Sequence, residues 1–402
     1  MTAVVVLENI KKEWNMIELK EEERMLAETM YKWAVNEIAP LQEKIDDDDW
    51  LPDDFFKKLG ELGMLGITID EEYGGAGQGI MMQVLAVEQL SRISPALGMT
   101  YGAHSNLCAN NINKNGNEKQ KSKYLPPMCR GEHIGALCLT EPNAGSDALG
   151  GMRTVAKKKG DVYVLNGSKM FITNGAIADT LLVYAKTAPE LGPHGISAFI
   201  VEADTPGVTV SKKLKKCGMR GSPTCELSFE DVEVPAENLL LEENRGVAAV
   251  TSGLAYERIV LAGGSLGIAE QGLEYSIQYS KEREQFGRPI MDFQMIQQKL
   301  ADMYCLVEAS RGLVYRAARF ADGPLGKRGG KGTELDKLAA AAILFAAESS
   351  TKICSDGVQI HGGYGYCLEY PIQKLWRDAK LYEIGAGTSE IRRIIIAREL
   401  LR

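Results

Sequence analysis

Eight cysteines are scattered along the 402 residues without a single Cys-x-x-Cys pair. That spacing provides neither a zinc module nor a disulfide framework, and it reads as free thiols in a reducing compartment. Only four histidines are present, and none sits at a metal-ligand spacing, so no metal is expected. No apolar run approaches the ~20 residues that cross a bilayer. Leu338–Ala347 reads instead as part of a buried helix. A basic start, apolar stretch and small-residue cleavage site are missing from the first residues, so no secretory leader is read there. No Gly-x-Gly-x-x-Gly opens a helix after a strand, and the glycines of Tyr73–Gly79 read as a loop. Positive charge is not in excess. A net charge of -8 argues against a general nucleic-acid binder while leaving room for local basic pockets that hold phosphorylated ligands. The lysine runs Lys157–Lys159 and Lys212–Lys216 read as solvated hairpin or strand-end residues. Cytoplasm is the default compartment, although a processed enzyme of the mitochondrial matrix would show the same composition.

What is present is an ordinary globular composition, 45% hydrophobic and 25% charged, long enough for two or three cooperating domains. The fold class read from its texture is α+β. Residues 1–133 are mostly helical in character, with helical spacing over Met16–Ile38, Asp53–Leu62 and Met81–Ser91. Residues 134–244 change to short β-rich runs such as Tyr163–Leu165, Thr180–Ala185 and Ile196–Val201. Asn166-Gly167 predicts a hairpin turn there, because both residues tolerate positive φ. Little room remains for crossover helices, so an antiparallel sheet or barrel is expected. From 245 to 402 the helical texture returns, with long helices predicted over Val247–Arg283, Gln294–Phe320, Leu335–Gly357 and Ile391–Leu401. A Gly- and Lys-rich loop, Asp322–Gly332, separates the second and third of these.

Five motifs in this order carry a resemblance. They are Leu139-Thr-Glu-Pro-Asn-Ala-Gly-Ser-Asp147, Lys169-Met-Phe-Ile-Thr-Asn-Gly175, Arg283-Glu-Gln-Phe-Gly287, Gln359-Ile-His-Gly-Gly-Tyr-Gly365 and Lys380-Leu-Tyr-Glu-Ile-Gly-Ala-Gly-Thr-Ser-Glu390. Together they resemble the acyl-CoA dehydrogenase family along nearly the whole chain. Tyr101-Gly-Ala-His-Ser-Asn-Leu-Cys108 and Tyr382–Glu390 bring it nearest to the isovaleryl-CoA dehydrogenase branch. The resemblance implies an N-terminal helical domain, a middle antiparallel β domain and a C-terminal four-helix bundle. It also implies FAD, a homotetramer, an acyl-CoA substrate and an electron-transferring flavoprotein as acceptor.

Many members place their catalytic glutamate just before the Gly-Thr-Ser, where this chain has Ala386. A minority carries the base on an earlier helix, in a pair like Glu257-Arg258, and Glu257 is the expected base here. The implied reaction removes the α-proton of a saturated acyl thioester while the β-hydrogen leaves as hydride to flavin N5. Two donors would hold the thioester oxygen: a ribityl hydroxyl of FAD and the backbone N–H of Ala386. Because that second donor is backbone, alanine need not destroy it. A carboxylate buried against flavin and acyl chain would also be a stronger base.

For the cofactor, the resemblance assigns Thr140 and Thr173 to the flavin ring and Phe171 to one of its faces, where tryptophan is common. Ser146 would lie near the pyrophosphate and the substrate. Arg283, Gln285 and Phe286 would reach the FAD of another protomer. Gln359, Gly362 and Gly363 would approach its dinucleotide portion, and Thr388 and Glu390 its end near the C-terminal signature. His104 and Arg258 are expected to line the acyl site. Gly385 and Ala386 leave room for branching, which favours a short branched acyl-CoA, with cyclic or aryl-substituted acyl groups as rivals. A direct reaction with oxygen and a catalytically silent flavin-binding scaffold remain the other readings.

Overall fold

The computed structural model describes residues 19–326 and 333–402. The start of the helix expected from Met16 and the end of the loop expected up to Gly332 lie outside them. Helices α1 (Glu21–Trp33), α2 (Gln42–Asp47), α3 (Phe55–Glu61), α4 (Ile80–Ile93), α5 (Pro95–Gly102), α6 (Asn110–Asn115) and α7 (Glu118–Cys129) come first. Strands β1 (Gly135–Cys138), β2 (Val155–Lys159), β3 (Val162–Thr173), β4 (Thr180–Lys186), β5 (Ile196–Glu202), β6 (Val208–Lys213), β7 (Thr224–Pro235) and β8 (Leu239–Leu240) follow. The chain ends in α8 (Gly246–Glu282), α9 (Gln294–Asp322), α10 (Glu334–His361), α11 (Pro371–Tyr382) and α12 (Ser389–Leu400). Among the described residues α11 is a helix that the periodicity reading missed. Pro371 at its first position was the available signal.

The eight strands form one sheet, mostly antiparallel in the order β6-β7-β3-β2-β4-β5-β8, with β1 beside β4. The antiparallel expectation needs one correction, since β1 and the start of β2 both pair with β4 in parallel. β4 lies inside the sheet, and six of its seven residues, from Thr180 to Ala185, are buried, which explains its unbroken apolar run. The hairpin expected at Asn166-Gly167 is also corrected. The β2–β3 turn falls at Gly160-Asp161, with Gly160 at φ 63°, and Val155 pairs with Asn166 well inside the strand. Gly167 instead marks a register shift against β7, where a Cβ would stand 2.5 Å from the Thr154 hydroxyl.

The helical segments on either side of the sheet share one core. Met81, Val84 and Leu85 of α4 join Ile259, Leu266 and Ile268 of α8 and Ile343 and Ala346 of α10 in a single cluster. α8 is 37 residues long and buried on almost every face from Ala255 to Leu273. Gly267 permits the close approach of α4, since a Cβ there would fall 2.2 Å from the Glu88 carbonyl oxygen. Asp322, at the end of α9, caps the start of α4 through the N–H groups of Ile80 (2.6 Å) and Met81 (3.0 Å). Segment 334–366 is the one described stretch long and apolar enough to cross a membrane. Leu338, Ala339, Ala342, Ile343 and Ala346 of that stretch are buried in the bundle, which accounts for its hydropathy. All eight cysteines are free thiols.

Candidate active site

Glu257 sits in the first half of α8, only 7% exposed. Among the described residues no hydrogen bond or ion pair engages its carboxylate. Burial pushes it up to about 7, against the opposing charges of Arg258 and Arg392. One turn earlier, Gly253 turns the helix backbone toward Asn111, whose Nδ2 would lie 3.2 Å from a Cβ there. The Asn111 amide donates to the Tyr184 hydroxyl at 3.3 Å, and Tyr184 is close enough to Glu257 for their charges to interact. Sequence reasoning missed both residues, since neither belongs to a motif.

The C-terminal signature forms the turn between α11 and α12. Ala386 adopts φ 56° and Gly387 φ 90°, and the Thr388 hydroxyl caps α12 by accepting the Ile391 N–H. An alanine at positive φ is strained, and such strain concentrates at working sites. Arg392 reaches back from α12, its Nη2 donating to the Gly385 carbonyl at 2.5 Å. Among the described residues it is the largest fully buried side chain. Because its charge also acts on Glu257, Arg392 links the turn to α8. A sequence signal for it existed: Ser389, Arg392 and Ile395 share one helix face, and that face is buried.

Two expected site residues are held by the fold. His104 is fully buried, with Nε2 3.2 Å from the Met128 carbonyl and Nδ1 accepting the Gly135 N–H at 3.0 Å. Burial pulls its pKa down to about 4, so it is a neutral histidine joining helix to sheet. Arg258 turns toward α10, where Nη1 donates to Asp336 at 2.8 Å. That buried pair clamps two helices.

The remaining candidates fall into groups. The Thr140 carbonyl accepts the Met170 N–H at 2.9 Å, which sets Thr140 beside the 169–173 segment. A register shift between Lys169 and Ile172 puts Phe171 at φ 61° with its ring 65% exposed, while Thr173 stays half-buried and pairs with Thr224. Glu141 anchors this corner. Its carboxylate accepts from Lys169 Nζ (2.9 Å), the Thr154 hydroxyl (2.6 Å) and the N–H groups of Arg153 (2.7 Å) and Thr154 (3.0 Å). Ser146 stands exposed in the loop that follows, and Glu390 is exposed on α12.

A second group gathers around the end of α10. The Arg283 guanidinium lies over the Tyr364 ring at 5.5 Å, and Tyr279 stacks on His361 at 4.1 Å. Gln359, Gly362 and Gly363 are exposed there, as are Gln285 and Phe286 in a neighbouring two-stranded turn. The Phe286 ring is 93% exposed. Among the described residues no hydrogen bond or ring contact joins this group to the one around Phe171. A separate cleft of about 890 Å³ lies between the α4 start and the α9 end, with Lys114, Tyr256 and Asp322 in its wall and neither Glu257 nor Ala386. The described residues contain no cluster of three or more metal-ligating side chains.

Against this geometry, three family models match in chain order. The acyl-CoA dehydrogenase N-terminal domain covers residues 20–132, the middle domain 136–232 and the C-terminal domain 244–401. The chain belongs to the acyl-CoA dehydrogenase family. A curated relative, the mitochondrial isovaleryl-CoA dehydrogenase of Pongo abelii, is 50% identical over 384 residues, covering 94% of this chain and 89% of its own. A solved chain described with the electron transferring flavoprotein of Acidaminococcus fermentans aligns with a TM-score of 0.92 at 44% identity, covering 96% of this chain and 99% of that one. A glutaryl-CoA dehydrogenase of Mycobacterium smegmatis in complex with FADH2 aligns at 0.88 and 31%, covering 95% of each. This acyl-CoA dehydrogenase therefore has the family's three-part fold, and it is a flavoprotein oxidoreductase.

Proposed function

We propose that this acyl-CoA dehydrogenase oxidises a short branched acyl-CoA of the isovaleryl type to its 2-enoyl-CoA, with Glu257 as the base. The carrying observation is the pairing of a buried, unpartnered carboxylate at Glu257 with an alanine at position 386. Near neutral pH such a carboxylate is matched to abstracting a proton from a weakly acidic carbon. The Ala386 N–H, set by the turn, would hold the thioester oxygen as charge develops on it. Gly385 and Ala386 leave beside the reacting carbons the space that a glutamate side chain would take, which suits a branch.

The residues present fit FAD. Phe171 offers an exposed apolar ring at positive φ, an arrangement a flavin face would cover. Thr140 and Thr173 lie in the segments beside it and would offer hydroxyls, and Ser146 stands in the loop after Thr140. Cβ atoms at Gly362 or Gly363 would meet nothing within 4 Å, so that backbone is open to a dinucleotide. Bound FAD supplies the two-electron acceptor. Thr388 and Glu390 complete the cofactor contacts near the turn.

Arg283, Gln285 and Phe286, with Gln359, Gly362 and Gly363, would serve the FAD of a neighbouring copy in a homotetramer. The almost fully exposed Phe286 supports this, since an apolar ring so placed suits an interface. Dilution below the assembly's dissociation range is expected to release FAD, read by ultracentrifugation at the flavin wavelength. Flavin that stays with monomers would contradict the shared site. The acceptor is proposed to be an electron-transferring flavoprotein, and the compartment cytoplasm or mitochondrial matrix.

The test of substrate is an anaerobic titration of the yellow protein with isovaleryl-CoA. Bleaching of the visible flavin band near one equivalent per flavin is expected. No bleaching with FAD bound would move the assignment to cyclic, aryl-substituted or longer acyl groups.

A further inference from the structure

Arg392 is anomalous for a buried arginine. Its side chain is fully enclosed, yet among the described residues its Nε and Nη1 have no partner and only Nη2 donates, to the Gly385 carbonyl. Burial and the nearby charge of Arg258 pull its pKa down to about 10, while Glu257, Glu348 and Glu383 act in the other direction. Burying a guanidinium with so few hydrogen bonds is costly, which makes the one bond it forms the informative feature. The bonded carbonyl belongs to the peptide unit that joins Gly385 to Ala386. Peptide units are planar, and none among the described residues is cis, so the Gly385 C=O and the Ala386 N–H point in opposite directions. A charged donor fixed on the oxygen therefore aims the N–H away from Arg392. It also draws electron density through the amide and makes that N–H a stronger donor.

We infer that Arg392 is a positioning residue for the oxidation: through the Gly385–Ala386 peptide it aims and polarises the N–H that receives the thioester oxygen. This rests on the proposed role of Ala386. It adds a residue whose effect grows as the substrate carbonyl becomes an enolate. The positive φ of Ala386 belongs to the same device, since the strained turn needs a tie to hold its peptide plane.

The test uses the FAD-loaded enzyme and acetoacetyl-CoA, whose α-proton is acidic and whose β-carbon has no hydrogen to lose. Its bound enolate is followed by its own near-ultraviolet absorption across pH, in wild type, Arg392→Gln and Arg392→Lys. Wild type is expected to lower the ligand's apparent pKa relative to free solution. Arg392→Gln is expected to raise it back by about one unit, a tenfold loss of affinity for the enolate over the neutral ligand, with FAD content little changed. Arg392→Lys keeps the charge with a less directed donor and should fall between. An unchanged pKa in Arg392→Gln overturns the inference and leaves the proposed function standing. A wild type that does not shift the ligand at all takes both down. If Arg392→Gln does not fold, Arg392→Lys decides by the same reading. If neither folds, Arg392 is structural only and the inference fails.

Discussion

Glu257→Gln is expected to retain yellow, FAD-bound protein and to lose about 10²–10⁴-fold in the rate of flavin reduction by acyl-CoA. Glutamine keeps the size and polarity of the side chain but cannot accept the α-proton. In wild type the same group should set the pH dependence of that step. The carboxylate must be unprotonated to act, and burial raises it to about 7. Flavin reduction should therefore rise with pH, reach half its plateau near pH 7 and level off above. The stability sign is opposite. In the unfolded chain the carboxylate releases its proton near 4.5, whereas in the folded chain it holds it to about 7. Between these values the folded state binds more protons than the unfolded one, so the contribution of Glu257 to stability falls as pH rises. Glu257→Gln removes that penalty, which is at most about 3 kcal/mol at pH 8. The variant should melt no lower than wild type there, and higher if the full penalty is released. Full activity in Glu257→Gln would remove the residue from the mechanism. A lower melting point at pH 8 would show that its carboxylate has a partner in solution.

Glu141→Ala is the second large effect expected. Four donors converge on this carboxylate, among them Lys169, which is fully buried. Burial disfavours the Glu141 charge, but the Lys169 charge and these hydrogen bonds outweigh it and hold the pKa below the ordinary carboxylate range. Alanine would leave the Lys169 ammonium buried with only the Leu139 carbonyl, at 3.1 Å. Breaking a buried pair on one side costs about 3–5 kcal/mol. The loss should appear as a lowered melting temperature together with weaker FAD retention, since Glu141 fixes the corner between Thr140 and Phe171. In wild type, this contribution is present above the unfolded carboxylate pKa. It fades as pH falls through the lower folded value. A Glu141→Ala protein that melts like wild type and keeps FAD on gel filtration would show the corner to be self-supporting. Glu141→Gln keeps the acceptor oxygen without the charge and should lose less.

The motifs were legible because they are local. Thr140, Phe171 and Thr388 belong to short segments whose residue types already specify a loop, a strand edge or a helix cap. Glu257 stands out as a candidate only when two distant places are joined, the pair Glu257-Arg258 and the alanine at 386. Arg258 and His104 have partners that no local pattern announces. Their side chains turn toward Asp336 in one case and toward Met128 and Gly135 in the other. Asn166-Gly167 misled because a dipeptide that permits positive φ serves a bulge as well as a turn. Pairing with β2 and β7 made the choice.

By itself, the sequence determined the family, the order of helical, β and helical segments, and the absence of glutamate at the usual place. These are carried by residue type and spacing, which survive without coordinates. Tertiary structure decided which side chains are buried together. It placed α4 against α8 in one shared core and turned Phe171 outward at a register shift. Among the described residues it also left Glu257 without a partner, and it brought the Arg392 guanidinium onto the Gly385 carbonyl. Burial and opposition across distant segments set charge, donor direction and proton affinity, and no local pattern encodes them.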